Sequence, residues 1–274
     1  MARDAIEDLE LRLLLEAIYQ RYGYDFREYA RSSIRRRVWR RVSEENLETI
    51  SGLQERIIHD PECMERLLLD LSVSVTSMFR DPSFFRALRE QVIPVLRTYP
   101  FVRVWNPGCS SGEETTSLAI LLAEEGLGDR MRIYATDINV EVLDRARSGV
   151  FPLDRMREYT SNYIASGGRA AFSRYYKTFG GAVQFAPELA ENIVFAQHNL
   201  VSDSDFNEFH LIVCRNVMIY FDRSLQDKVT GLLHRSLIRF GVLALGQKES
   251  LRFSAHSSDF EELDAREKIY RRLR

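Results

Sequence analysis

Apolar positions along the first quarter of the chain recur at helical spacing. Leu9, Leu11, Leu13, Leu14, Leu15, Ile18 and Tyr19 trace one helix that stops near Gly23. The pattern then predicts helices over about Asp25–Val42, Leu47–Ile58 and Pro61–Leu71, with Pro61 suited to a first turn. Nothing in residues 1–75 reads as a strand. After Asp81-Pro82 the period changes. A helix carrying Phe84, Phe85, Leu88 and Val92 leads into Val102-Arg103-Val104-Trp105, the first strand signal. A strand at Arg132–Thr136, a helix at Glu141–Arg147, a buried strand at Phe209–Cys214, a helix at Leu225–Arg239 and a strand at Val242–Leu245 follow, and Ile269–Leu273 is placed to close the sheet. Alternation of this kind predicts an α/β domain, a parallel sheet with helices on both faces.

One stretch interrupts it. Between about Phe172 and Glu191, Gly180-Gly181 separates Tyr175-Tyr176 from Ala182-Val183-Gln184-Phe185, which predicts a small inserted antiparallel hairpin. The expected organisation is an all-α helical domain over residues 1–75 and an α/β domain over 76–274, with the β insertion at about 172–195. There is no internal repeat and no low-complexity segment.

Composition narrows the class. The 274 residues are 45% hydrophobic and 28% charged, ordinary for a soluble globular protein. A net charge of -2 excludes a molecule built as a whole to coat nucleic acid. Cys63, Cys109 and Cys214 lie far apart, and the five histidines form no HxxxH or HxH pair, so no metal is expected and the cysteines read as free thiols in a reducing compartment. Acidic residues interrupt the N-terminus at once and no apolar run approaches the roughly 20 residues of a membrane span. A cytoplasmic location without membrane insertion is the expectation.

The strongest local chemistry is Val104-Trp105-Asn106-Pro107-Gly108-Cys109-Ser110-Ser111-Gly112-Glu113-Glu114, which joins the first strand to a helix. Small residues there let the backbone approach a ligand at the strand's carboxyl end, although a tight strand-to-helix turn has the same composition. Asp137 ends the next strand, where a nucleotide-binding α/β fold accepts ribose hydroxyls; it equally suits a helix N-cap. The loop lacks the Gly-x-Gly-x-x-Gly fingerprint, and Glu113 and Glu114 occupy the helix start where a dinucleotide would place its phosphates. Two carboxylates there repel a pyrophosphate and suit a cation. S-adenosylmethionine (SAM), with a sulfonium, an ammonium and no phosphate, fits that charge pattern better than NAD.

Five segments resemble the CheR family of chemoreceptor glutamate methyltransferases: Ser74–Arg80, Val104–Glu114, Ala135-Thr136-Asp137-Ile138-Asn139, His198-Asn199-Leu200, and Cys214-Arg215-Asn216-Val217-Met218-Ile219-Tyr220-Phe221-Asp222. The last is the most specific, and the order and rough spacing of all five match along nearly the whole chain. The resemblance implies an N-terminal helical domain and a Rossmann-like SAM-dependent methyltransferase domain carrying a small antiparallel subdomain. It implies that Ser74, Thr76 and Arg80 meet the methionine part of SAM, that Glu113 and Asp137 hold its amino-acid and ribose ends, and that Asn199, Leu200, Asn216 and Val217 surround the adenosine. Arg80 and Tyr220 are the candidates to line the methyl-transfer site. The chain departs from the family at Ser74, where several members have Asn, and at Gly246-Gln247-Lys248-Glu249-Ser250, where members often read Gly-His-Ser-Glu-Ser.

The segment Arg31–Val42 is dense in arginine. On a helix Ile34, Val38 and Val42 share one arc, and Arg36, Arg37 and Arg40 are expected to point away from it, with Arg41 beside them. This reads either as a solvated face or, by the resemblance, as the surface that docks on the acidic methylation region of a receptor coiled coil, since arginine forks suit carboxylates. No motif supports nucleic-acid binding. The implied reaction transfers a methyl group from SAM to glutamate carboxylates, giving methyl esters and S-adenosylhomocysteine. A glutamate is already ionised at neutral pH, so no general base is required. The short loop at Gly180-Gly181 implies independence from the receptor pentapeptide that some members grip. The rival readings are a SAM methyltransferase with a different substrate and a non-catalytic SAM-binding signalling module. Which receptor is used, the pathway's output and the oligomeric state are left open by the sequence.

Overall fold

The computed structural model describes residues 2–71 and 76–274; Ser74, a candidate cofactor residue, lies outside the described residues. The chain divides into two compact units, Met1–Val73 with Tyr220–Lys228, and Ser74–Ile219 with Val229–Arg274.

The first unit is built on four helices, α1 (Ala2–Tyr22), α2 (Arg31–Glu44), α3 (Ile50–His59) and α4 (Pro61–Leu71). Leu14, Ile18, Ile34, Val38, Val42, Ile50 and Leu53 are almost fully buried, which is the stripe the apolar spacing predicts. Thr49 caps α3, its Oγ1 accepting the Gly52 N–H at 3.0 Å. The second helix does not begin at Asp25 as expected. Residues 25–30 spend their backbone on the returning segment instead: Ala30 N donates to Tyr220 O and Asp222 N to Glu28 O, both at 2.9 Å, and Tyr29 bridges Phe221.

The even outward fan of arginines on α2 is corrected too. Arg36 and Arg40 are exposed, but Arg37 and Arg41 are buried, at 7% and 9% exposure. α2 packs against both α3 and α4, so its covered arc is wider than its apolar stripe. Arg37 donates to Leu71 O at 2.6 Å and lies 4.7 Å above the Tyr220 ring. Arg41 pairs with Asp70, Glu44 and Glu45.

The second unit opens with α5 (Pro82–Ala87) and α6 (Ile93–Leu96), joined by a π-helical turn over Leu88–Val92. Pro94 has no N–H and its ring would crowd the carbonyl four residues back, and the wider turn just before it lets the helix continue. The strands are β1 (Val102–Pro107), β2 (Met131–Asp137), β3 (Val150–Pro152), β4 (Tyr176–Phe179), β5 (Ala182–Phe185), β6 (Ile193–Gln197), β7 (Phe209–Cys214), β8 (Leu237–Leu245), β9 (Phe260–Asp264) and β10 (Ile269–Arg272). Between them run α7 (Glu113–Glu124), α8 (Val140–Ser148), α9 (Met156–Ala165) and α10 (Arg223–Ser236), whose first residues belong to the other unit.

The main sheet has the order β6-β2-β1-β7-β8-β10-β9. Its first five strands are parallel, and β10 and β9 close it antiparallel. The predicted α/β class with a small antiparallel insertion is the observed one. Three details differ. The helix expected to reach Arg239 stops at Ser236, because Leu237 already pairs with Phe209 as part of β8. The edge strands β6 and β9 were not anticipated. The small sheet, ordered β3-β5-β4, recruits β3 from before the expected insertion, while β6, partly inside the expected insertion, belongs to the main sheet. Its hairpin turn is Gly180-Gly181, both with positive φ (46° and 82°), the two-residue geometry that matches strand twist.

Candidate active site at the carboxyl ends of the strands

The sheet reverses its direction of growth at β1. From there the chain builds β2 and β6 on one side, then returns to place β7 and β8 on the other. Loops leaving strands at such a switch point diverge and leave a crevice at their carboxyl ends, the general ligand position in open α/β sheets. Residues following β1, β2, β6 and β7 therefore share one end of the sheet: the loop of residues 108–112, Asp137, Asn199 with Leu200, and Asn216 with Val217.

The β1–α7 loop is shaped by close approach. Gly108 (φ 68°) faces Val217, and a Cβ there would fall 2.4 Å from the valine Cγ2; a Cβ on Gly112 (φ 92°) would fall 2.8 Å from that of Ala146. Ser110 also adopts a left-handed φ of 51°, and its Oγ is sealed from solvent without a hydrogen-bond partner among the described residues. Strained backbone and an orphaned hydroxyl in a tight cradle are what a bound ligand relieves.

Asp137 anchors this loop. One oxygen accepts Ser110 N–H at 2.9 Å and the other Asn139 N–H at 3.1 Å. Burial pushes its carboxyl up from the usual range, and the main-chain N–H groups of Asn139, Ser110 and Ile138 oppose that rise. The helix-cap role open from the sequence falls to Asn139, whose Oδ1 accepts from Glu141 and Val142. His198 N donates to Asp137 O at 3.1 Å and so ties the end of β6 to that of β2. Asn199 closes a turn onto Val201 N at 3.0 Å, and Leu200 beside it is nearly buried.

The two acids at the start of α7 have different surroundings. Glu113 is 7% exposed and accepts Ser111 Oγ at 2.7 Å and the Tyr159 hydroxyl at 3.2 Å. Burial and then the Glu113 charge push the Tyr159 phenol well up, so it stays a donor. Glu114 is tied instead to Asn106 Nδ2 at 3.0 Å and to Arg215 at 2.8 Å. Arg215, 5% exposed, also reaches Asp81 at 2.6 Å and the Arg80 carbonyl at 3.3 Å, and stacks 4.0 Å from the Phe84 ring. It sets the course of residues 80–81, where Asp81 is left-handed. Thr76 and Arg80 are half-buried on the same unit, the Thr76 carbonyl accepting from Arg155 at 3.4 Å. Tyr220 belongs to the other unit, beneath Arg37.

Sequence reasoning missed Glu249. Its carboxylate is 5% exposed and accepts four main-chain N–H groups, from Gly246 (2.6 Å), Val217 (2.9 Å), Asn216 (3.0 Å) and Ile219 (3.3 Å). It holds the turn after β7, in which Asn216 is left-handed at φ 60°. Burial raises its carboxyl, and the main-chain N–H groups of Gly246, Asn216, Met218 and Val217 lower it. It stands in the very segment, Gly246–Ser250, that attracted notice only for its departures from the family string.

Acids at the switch point of a Rossmann-like sheet suit a cationic cofactor, and the family match shows the class, a methyltransferase that uses SAM: residues 74–269 match the "CheR methyltransferase, SAM binding domain" and residues 9–72 the "CheR methyltransferase, all-alpha domain". The chain belongs to the CheR methyltransferase family. It is 48% identical to Cher3 of Pseudomonas putida over 99% of this chain and 100% of that one. It is 31% identical to the chemotaxis protein methyltransferase of Escherichia coli, over 96% of this chain and 89% of the relative. The Salmonella typhimurium protein of the same name is 30% identical over 95% and 87%. No described helix is long and apolar enough to cross a membrane.

Proposed function

We propose that the chain transfers the methyl group of SAM to glutamate side chains on the cytoplasmic coiled coil of methyl-accepting chemoreceptors, leaving S-adenosylhomocysteine. The observation that carries this reading is the pairing of Asp137 and Glu113 around the 108–112 loop, together with relatives named for methylation of chemotaxis proteins. SAM supplies a methyl group on a positively charged sulfur, which leaves as a neutral thioether. In this reading Asp137 accepts the ribose hydroxyls. Glu113 meets the ammonium, and Thr76 and Arg80 meet the rest of the methionine part. Asn199, Leu200, Asn216 and Val217 enclose the adenosine. The glutamate substrate arrives ionised, so the chain supplies alignment and exclusion of water, and neither a base nor an acid. Arg80 is assigned to the wall of the transfer site.

On the substrate side, Arg36 and Arg40, one helical turn apart on the exposed face of α2, carry the docking role. Arg37 and Arg41 are assigned to support, since their guanidinium groups are engaged inside the helical unit. The two-residue turn at Gly180-Gly181 supports methylation without a receptor pentapeptide tether. Incubation with methyl-labelled SAM and chemoreceptor membranes tests the whole reading. Base-labile label in the receptor band, equal with and without the receptor's terminal pentapeptide, is the expected result. Label confined to other acceptors, or none, overturns the substrate assignment, and micromolar binding of the free pentapeptide overturns tether independence.

A further inference from the structure

Far along the chain from the residues of the cofactor loop, three side chains of the second unit converge that no spacing in the sequence connects. His234 lies in the last turn of α10, and His256 and Asp259 lie in the short helical turn before β9. One donor atom from each falls within 4.8 Å of the other two. His234 Nε2 is 3.5 Å and His256 Nδ1 3.6 Å from the same oxygen, Asp259 Oδ2.

These are not hydrogen bonds. His234 Nε2 is sealed from solvent and has no hydrogen-bond partner among the described residues. Its ring is hydrogen-bonded to the main chain of Arg274, which leaves Nδ1 as the nitrogen engaged there and Nε2 as the one facing the carboxylate. A main-chain bond at one imidazole nitrogen that aims the other at a shared point is the arrangement that orients metal-ligating histidines. Tetrahedral ligands held about 2.0–2.1 Å from a zinc ion lie roughly 3.3–3.4 Å apart, close to the two separations seen. The rings stack at 4.6 Å, so binding one ion requires His256, the more exposed of the two, to rotate out of the stack. Gly231 makes room for that ring: a Cβ on it would come within 3.2 Å of His256 Nε2. Glycine is a poor choice inside a helix, and at this position the space it leaves is used. Of the two neighbouring cations, Arg272 is occupied by the carbonyls of His234 and Leu237, and Arg235 lies on the Gly231 side of His256.

We propose that His234, His256 and Asp259 form a binding site for one divalent transition-metal ion of the zinc type, with an outer position open to water. This reverses the expectation of no metal, which rested on the absence of close histidine pairs in the sequence. The site's chemistry, two imidazoles and one carboxylate, suits zinc, cobalt or nickel over magnesium or calcium.

The test uses the full chain after dialysis against a chelator, titrated calorimetrically with zinc chloride and followed in parallel by the visible spectrum of added cobalt(II). One equivalent is expected to bind at micromolar or tighter affinity. His256→Ala and Asp259→Asn, both at partly exposed positions, are expected to weaken binding at least about tenfold, the lower bound for disturbing a metal's ligand shell. Binding of S-adenosylhomocysteine by the same variants reports that they are folded. His234→Ala is the stricter variant, and a failure of that one to fold leaves the other two to decide. A wild-type protein that takes up no zinc overturns the site, as do variants that bind within about twofold of wild type.

Discussion

Asp137 meets the main-chain N–H groups of Ser110 and Asn139 with separate oxygens, and that of Ile138 also acts on its carboxyl. Removing it unmakes the loop's anchor and, in the proposed reading, the ribose contact. Asp137→Ala should therefore weaken S-adenosylhomocysteine binding by roughly 1–3 kcal/mol by calorimetry, with NAD negligible throughout. Unchanged affinity would take Asp137 out of the site. A second residue makes a pH prediction. His210 Nδ1 on β7 accepts the Arg103 N–H of β1 at 3.0 Å, and burial, then the Arg103 charge, hold its pKa below the ordinary value of about 6.5. A folded value below the unfolded one means the unfolded chain takes up the proton first as pH falls. The stability this group contributes is present above about pH 6.5 and is lost as pH drops through the folded pKa. Melting temperatures between about pH 7.5 and 5 should fall in the wild type and fall less in His210→Asn; identical slopes would dismiss the effect. Asp137 and Glu113 are legible in the sequence as candidates because they stand at the ends of predicted elements. Tyr159 and Arg215 are not, since they act on Glu113 and Glu114 from 46 and 101 residues away.

Among the elements, the buried strands and amphipathic helices announced themselves, and the ones missed are those whose burial is incomplete. β9 is a sheet edge with mixed exposure and β3 has only three residues, so neither shows an apolar run or a clean alternation; β6 carries the apolar run Ile193-Val194-Phe195-Ala196, but most of it falls inside the expected insertion, which hides it as a strand of the main sheet. The start of α2 was misplaced because residues 25–30 find backbone partners in a segment nearly 200 residues on, which no local pattern encodes. The turn after β7 offers the sharpest test at this scale. Its shape depends on one carboxylate accepting four N–H groups, and an amide in its place presents a donor to donors. Glu249→Gln should lower S-adenosylhomocysteine affinity about tenfold or more, about 1.4 kcal/mol, with a lower melting temperature. Wild-type affinity in that variant would show that the turn holds its shape without the clamp.

For the whole molecule, the proposed function assigns substrate docking and cofactor binding to separate units. Arg36→Glu with Arg40→Glu should abolish receptor methylation and leave S-adenosylhomocysteine binding nearly unchanged. Loss of the exposed Arg40–Glu44 pair costs little stability by itself. Wild-type methylation should also fall steeply with added salt, because exposed charges are screened over about 8–10 Å. A double variant that methylates receptors at the normal rate would reduce the basic face of α2 to a solvated surface. The return of residues 220–228 to the helical unit bears on how such proteins diversify. Their main chain is hydrogen-bonded to Glu28 and Ala30, so the N-terminal part is not a self-contained cassette. A chimaera that exchanges only residues 1–73 with a relative would pair a foreign 25–30 turn with a native 220–222 segment. Recombination between family members should therefore succeed when both pieces travel together, and leave the traces of coordinated inheritance at two distant places in the gene.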